Sequence, residues 1–246
     1  MEINIEEAVF FRKLISSIKD LSESIEIIFN KKGLYIQEMD STNACLISVI
    51  LTDKFFSSFE LTIPCVIGVN INSLNQILKI GKTNSNISMA YTENSDKLSI
   101  NISETGCNTD FEMNLISIEK DSLEIESIDY DYTIYIDTKN FQSIIKNLNN
   151  FGDKCVITTD KNTIKFVVSG DIGTGKIELD NLEIECSETC EDFISYAINF
   201  KFLAIFAKAG LNDIVTLKMG KGAPFCCEYN LDEDGSISLF IAQMIE

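Results

Sequence analysis

Residues Asn140–Phe151 read NFQSIIKNLNNF, and their spacing decides the fold. Phe141, Ile144, Ile145, Leu148 and Phe151 stand at i, i+3, i+4, i+7 and i+10, the apolar face of an amphipathic helix, with Lys146 left on the other side. Three further stretches carry the same period. Ala8–Lys19 gathers Phe10, Phe11, Leu14, Ile15 and Ile18, opposite Arg12, Lys13, Ser16 and Lys19. Ser73–Lys82 gathers Leu74, Ile77 and Leu78, with Lys79 and Lys82 among the polar positions. Phe200–Gly210 is apolar nearly throughout and carries Lys201 and Lys208. The four starts recur at intervals of about 60–67 residues, the mark of an internal repeat.

Between these helices run alternating or β-branched segments broken by polar turns. They include Ser24–Phe29, Leu34–Glu38, Ala44–Leu51, Phe111–Leu115, Thr163–Val168, Lys176–Leu179 and Ile237–Ile241. Asn30–Gly33 and Asp232–Gly235 read as turns. One helix followed by several antiparallel strands, repeated four times, predicts an α+β fold. Each unit is too small to bury both faces, so pairing gives two similar domains, 1–116 and 132–246. The connector between them, 117–131, is acidic and free of glycine and proline.

Charge sharpens the pattern. The 246-residue chain has 38 acidic and 20 basic residues, a net charge of −18. Such a balance argues against nucleic acid unless the basic residues are gathered, because phosphate contacts need lysine and arginine. They are gathered. The four helical windows hold eight basic residues and no acid, where the chain average predicts about seven acids. Ordinary solvated helix faces mix both signs in favourable i, i+4 pairs. Exclusion of one sign predicts a shared positive surface, with the rest of the molecule strongly acidic.

Several segments, in order and with few gaps, resemble the eukaryotic-type DNA sliding clamps, the proliferating cell nuclear antigen family. They are Gly33–Thr42 (GLYIQEMDST), Gly68–Lys79 (GVNINSLNQILK), Phe166–Leu179 (FVVSGDIGTGKIEL) and Ile241–Glu246 (IAQMIE). The resemblance implies a ring, normally a homotrimer, whose helices line a hole for double-stranded DNA and whose sheets form the wall. It implies DNA contact by Arg12, Lys13, Lys19, Lys79, Lys82, Lys146, Lys201 and Lys208, while two basic positions of the family are Gln76 and Ser143 here. It implies a pocket for short peptide motifs of a DNA polymerase, clamp loader, flap endonuclease and ligase. The matching positions are Met39, Asn43, Leu46, Leu123, Ile125, Pro224, Phe240 and Ala242, beside the backbone as far as Ile245. Glu126 stands where the family often has proline, and Gln243-Met244 replaces a proline-lysine pair. Subunit contact falls on Phe111, Met113, Leu115, Ile177 and Leu179, and Lys161 matches a lysine that takes ubiquitin-like modification. The expected location is the nucleus, or a viral replication site if the gene is viral. A subunit of a heteromeric checkpoint-type clamp, or an altered viral clamp, is the alternative within this class.

Other chemistries find little support. Gly170–Lys176 (GDIGTGK) fits a phosphate-loop pattern, but Ile177 follows where Ser or Thr should bind magnesium, and the next residues alternate like a strand. A phosphate-loop enzyme is therefore the weaker reading. With no histidine, the usual general base and nucleophile pairs are missing, so neither an enzyme nor a cofactor is expected. The 8 cysteines include no C-x-x-C; the closest pairs are Cys186 with Cys190 and Cys226 with Cys227. All read as reduced, buried structural thiols rather than metal ligands. The start, MEINIEEAVFF, lacks a secretory pattern, and no apolar run reaches membrane-spanning length, so an intracellular, soluble protein without membrane partners is expected.

Overall fold

Helix formation starts at three asparagine or aspartate caps. A computed structural model describes residues 1–118, 128–188 and 190–244. Its helices are α1 (Ala8–Ile18), α2 (Ile71–Leu78), α3 (Thr138–Leu148) and α4 (Phe200–Ala209). Asn70 accepts from the Ser73 N–H, Asp137 from Asn140 and Asn199 from Lys201, each satisfying a first-turn donor. Such caps contribute about 1 kcal/mol apiece. Gly210 ends α4 at φ 52°, a left-handed conformation that glycine adopts without strain.

The chain divides into two compact units. Unit 1 comprises Met1–Ser41, Ile47–Leu123 and Leu231–Ile237; unit 2 comprises Thr42–Leu46, Glu124–Asn230 and Ser238–Glu246. In unit 1 one sheet orders β5 (Ser58–Glu60), β1 (Glu2–Ile5), β7 (Asn86–Ala90), β8 (Lys97–Glu104) and β9 (Cys107–Asn114). The other orders β6 (Cys65–Asn70), β2 (Ser24–Asn30), β3 (Gly33–Met39) and β4 (Cys45–Thr52). Unit 2 repeats the plan. Its four-stranded sheet orders β13 (Gly173–Leu179), β12 (Ile164–Gly170), β11 (Lys154–Asp160) and β15 (Phe193–Asn199). Its second sheet orders β14 (Glu183–Cys186), β10 (Tyr132–Asp137), β16 (Ile214–Met219), β17 (Phe225–Asn230) and β18 (Gly235–Ile241). All the registers given are antiparallel.

Alternation and helical period put the same side chains inside. Phe11, Leu14, Ile15 and Ile18 of α1, and Phe141, Ile144, Ile145 and Leu148 of α3, are buried. Helix α4 buries seven of its ten residues, which explains its nearly continuous apolar sequence. Phe10, read as part of the apolar face, is instead half-buried, with its ring 5.3 Å from that of Phe55. Helices α1 and α2 pack on each other, as do α3 and α4. The α+β reading therefore holds, with four helices on antiparallel sheets among the described residues. The cysteine reading holds only in part: Cys45, Cys155, Cys226 and Cys227 are buried, but Cys107 and Cys186 are exposed. Both sit at strand ends beside turns, where alternation no longer forces burial.

Candidate nucleic-acid interface

Helix α1 presents Lys13 to solvent and keeps Arg12 half-buried. The Arg12 guanidinium donates to the carbonyl of Gly81, just beyond α2, so it ties the two helices of unit 1 together. Lys19 caps the C-terminus of α1 and pairs with Asp20 at 3.2 Å. Lys79 caps α2 and is exposed. Lys82 lies past the helix, its ammonium 2.7 Å from the Glu104 carboxylate. Glu104 also accepts from the Lys82 backbone N–H at 3.0 Å and from the Ser85 hydroxyl at 2.8 Å. The side-chain bond from Lys82, then that from Ser85, hold its carboxyl down to about 2.

In unit 2, Lys146 of α3 and Lys208 of α4 line one open groove of ≈ 540 Å³, together with Gln142, Asn149 and Asn150. Its floor is Ile145, Ala204 and Ala207. Cations and amide groups over an apolar floor suit an anionic backbone that needs no sequence reading. Lys201 is exposed, its ammonium 6.0 Å from the ring centre of Phe202. Gln76 and Ser143 are exposed on α2 and α3. Lys139, in the first turn of α3, is exposed too and was missed, because the periodic window began one residue later. The signal was present: Asp137 is a capping residue that opens the helix at Thr138. No acid lies inside any of the four helices; Glu7 and Asp137 stand just outside them, as caps.

Strands β9 and β13 each end a sheet. The β12–β13 hairpin pairs Gly170 with Gly173 across two residues, and the β8–β9 hairpin pairs Glu104 with Cys107 likewise. A two-residue loop closes on a hydrogen-bonded pair, after which bonded and non-bonded pairs alternate. The outward backbone groups are therefore those of Asn108, Asp110 and Glu112 on β9, and of Thr174, Lys176 and Glu178 on β13. Phe111, Ile177 and Leu179 are half-buried within these strands, and Met113 is buried. Leu115 falls just past the end of β9, its N–H donating to Asp96.

Of the peptide-pocket positions, Met39 ends β3 in unit 1 and is half-buried. In unit 2, Leu46, Pro224 and Phe240 are half-buried, while Asn43 and Ala242 are exposed. The Ala242 N–H donates to the Ala44 carbonyl at 2.8 Å, laying the segments of Asn43 and Ala242 side by side. Leu123, Ile125, Glu126 and Ile245 lie outside the described residues. Lys161 is exposed in the β11–β12 turn, where Asp160 accepts from the backbone N–H groups of Asn162 and Thr163. Gly170–Lys176 forms a hairpin rather than a strand–loop–helix, so the phosphate-loop reading fails on geometry.

Family models match both halves of the chain. That of the proliferating cell nuclear antigen N-terminal domain covers residues 1–124, and that of the C-terminal domain covers residues 124–244. The chain is 30% identical over 256 residues to the proliferating cell nuclear antigen of Dictyostelium discoideum, covering 100% of this chain and 99% of that one. It is 26% identical to that of Chaetomium thermophilum, covering 100% and 98%. It is 24% identical to that of Saccharomyces cerevisiae, covering 98% and 97%.

Proposed function

This chain belongs to the proliferating cell nuclear antigen family of non-enzymatic sliding clamps, and from that membership we propose a homotrimeric ring that encircles duplex DNA as a polymerase processivity factor. The observation that carries the reading is the absence of acid from four helices of a chain with net charge −18. With those helices around a central hole, Arg12, Lys13, Lys19, Lys79, Lys82, Lys139, Lys146, Lys201 and Lys208 meet phosphates. Acidic sheets on the outside repel DNA from the wrong surface. Topological enclosure makes tight binding unnecessary, and mobile lysines give contacts weak enough to slide.

Ring closure uses the two free edges. The outward groups of β9 on one copy pair with those of β13 on the next, a head-to-tail contact that closes after three copies. This removes two unpaired edges at once, which otherwise invite aggregation. Replication and repair proteins, among them a polymerase, clamp loader, flap endonuclease and ligase, dock short apolar motifs around Met39, Leu46, Leu123, Ile125, Pro224 and Phe240. Lys161 is the position for ubiquitin-like modification, and the working location is the nucleus or a viral replication site.

Light scattering of the purified chain tests the assembly. The expected mass is three times 27.6 kDa. A monomer at micromolar concentration would overturn the homotrimer and favour a heteromeric clamp.

A further inference from the structure

Strand β2 stands between β6 and β3 in unit 1, and its register sets a row of side chains across the solvent face of the sheet. Ile28 pairs with Val66 on one side and with Tyr35 on the other. The row continues onto β4. A Cβ on Gly33 would meet the backbone of Leu51 and Thr52, and the Asp53 N–H donates to the Lys32 carbonyl at 3.1 Å, which sets Tyr35 across from Ile50. Leu34, Ile36, Val49 and Leu51 point into the core, so Tyr35 and Ile50 between them point out. Val66 is 54% exposed, Ile28 38% and Ile50 36%, and Ile63, two residues before β6, is 53% exposed. These are four of the ten large apolar side chains exposed among the described residues, so the apolar surface is gathered here rather than scattered. At Val66 the row opens into a cleft of ≈ 460 Å³ that Ile63, Pro64 and Tyr91 also line. Beside the row, at the tip of the β2–β3 hairpin, Lys31 and Lys32 are exposed, and that hairpin places no acid between them and Ile28 or Tyr35.

We propose that this face of unit 1 docks an amphipathic helix of a partner protein, laid along the row, with apolar residues at i, i+3, i+7 and i+10 and acidic residues on the flank towards Lys31 and Lys32. The spacing selects a helix. Neighbouring strands lie about 4.8 Å apart, so the four side chains from Val66 to Ile50 span about 14 Å. A helix rises about 1.5 Å per residue, so its residues from i to i+10 span about 15 Å and keep step with the row. An extended segment repeats each face about every 6.7 Å and falls out of step after one contact. The charge selects the partner's sign. A chain of net charge −18 repels acidic segments in general, so the lysine pair beside the row marks where one is accepted. The cleft beyond Val66 takes a large apolar side chain from the end of the helix, the buried anchor on which such contacts depend. The β9 and β13 edges and the basic residues of the four helices take no part, so docking here leaves ring closure and DNA contact undisturbed.

The test uses a small set of designed, fluorophore-labelled peptide helices added to the full-length protein and followed by anisotropy. Each carries leucine at i, i+3 and i+7, glutamate along one flank, and leucine, phenylalanine or tryptophan at i+10 for the cleft. At least one should bind in the micromolar range, more weakly as salt rises. Ile28→Thr with Val66→Thr keeps β-branched residues on the solvent face, so the strands persist, and should weaken binding about tenfold or more. Lys31→Glu with Lys32→Glu should weaken it too and remove its salt dependence. Phe240→Ala, in the proposed pocket for short motifs, should bind the helix as the parent does; a loss there moves the peptide to that pocket and overturns the proposal. Binding that survives the threonine pair overturns it, as does equal binding by a peptide of the same residues broken by a central proline. A parent whose mass is a multiple of that of the threonine variant shows a second copy covering the face, and overturns it as well. So does a set with no rise in anisotropy at protein concentrations up to about 1 mM.

Discussion

The Arg12 guanidinium donates to the Gly81 carbonyl, joining α1 to the segment that follows α2. This gives one side chain two separable duties, because the hydrogen bond needs the guanidinium while phosphate attraction needs only a positive charge. Arg12→Ala should lower stability by about 1–3 kcal/mol, the range for a bond from a charged donor to a sheltered acceptor. Arg12→Lys should lose most of that stability yet keep the salt-dependent retention on DNA. Urea unfolding and loader-dependent retention, measured on both variants, check the split. Equal stability of the lysine variant and the parent would show that the bond contributes nothing.

Lys146 and Lys208 offer the sharper test of the basic surface, since they face one groove. Reversing both to glutamate changes a trimeric channel by about twelve charges, felt over a Debye length of roughly 10 Å. Polymerase processivity should fall steeply and lose much of its salt dependence. Reversing Lys31 and Lys32, both exposed in the β2–β3 turn, makes the same change in net charge and should do far less. Equal losses from the two pairs, at matched mass and stability, would show that the basic residues are not gathered around DNA.

Much of this organisation was readable before any coordinates. All four helices appear where the apolar period put them, but α2 and α3 start two residues earlier and end at Leu78 and Leu148, short of the expected Lys82 and Phe151. The hairpin at Asn30–Gly33 follows from turn residues between alternating runs, while that at Gly170–Gly173 came only through the family resemblance of Phe166–Leu179. Strands β1, β5, β6, β14 and β15 were not anticipated. Glu183–Cys186 shows why: four residues, mostly exposed, owe their extended shape to pairing with Tyr132–Tyr135 about fifty positions away. Local pattern carries no trace of such a partner. The candidate DNA residues were legible as positions but not as contacts. Nothing in the spacing reveals that Arg12 reaches Gly81 or that Glu104 holds Lys82.

Edge pairing makes its own demand at Glu178, whose N–H points away from β12 by the alternation of the hairpin. Proline there removes only that outward donor, and an edge strand tolerates it. Glu178→Pro should keep the fold of the subunit while lowering the mass towards a monomer. The side chain also pairs with Lys165 and Lys176, each at 3.1 Å. Glu178→Gln removes those exposed pairs, worth about 0–1 kcal/mol each, and should leave the mass unchanged. An intact trimer in the proline variant would mean that this edge is not part of the subunit ladder.

The Glu104 carboxylate links the end of β8 to the segment after α2, and its acidity makes that link readable by pH. Hydrogen bonds from Lys82 and Ser85 hold its pKa at about 2 in the folded protein, against about 4.3 for an ordinary glutamate in the unfolded chain. A depressed carboxylate contributes stability that is fully present above the unfolded value and is lost as pH falls through the folded one. Glu104→Gln should therefore be less stable than the parent at pH 7, with the gap closing between about pH 4 and pH 2. Urea midpoints across that range check it. A gap that stays constant down to pH 2 would assign the contribution to shape alone. Neutralising Glu104 also releases the exposed Lys82 ammonium from its partner at 2.7 Å. If Lys82 faces DNA, retention on DNA should rise in the same variant whose stability falls. Retention that drops in step with stability would remove Lys82 from the DNA-facing set and leave it as an anchor for Glu104.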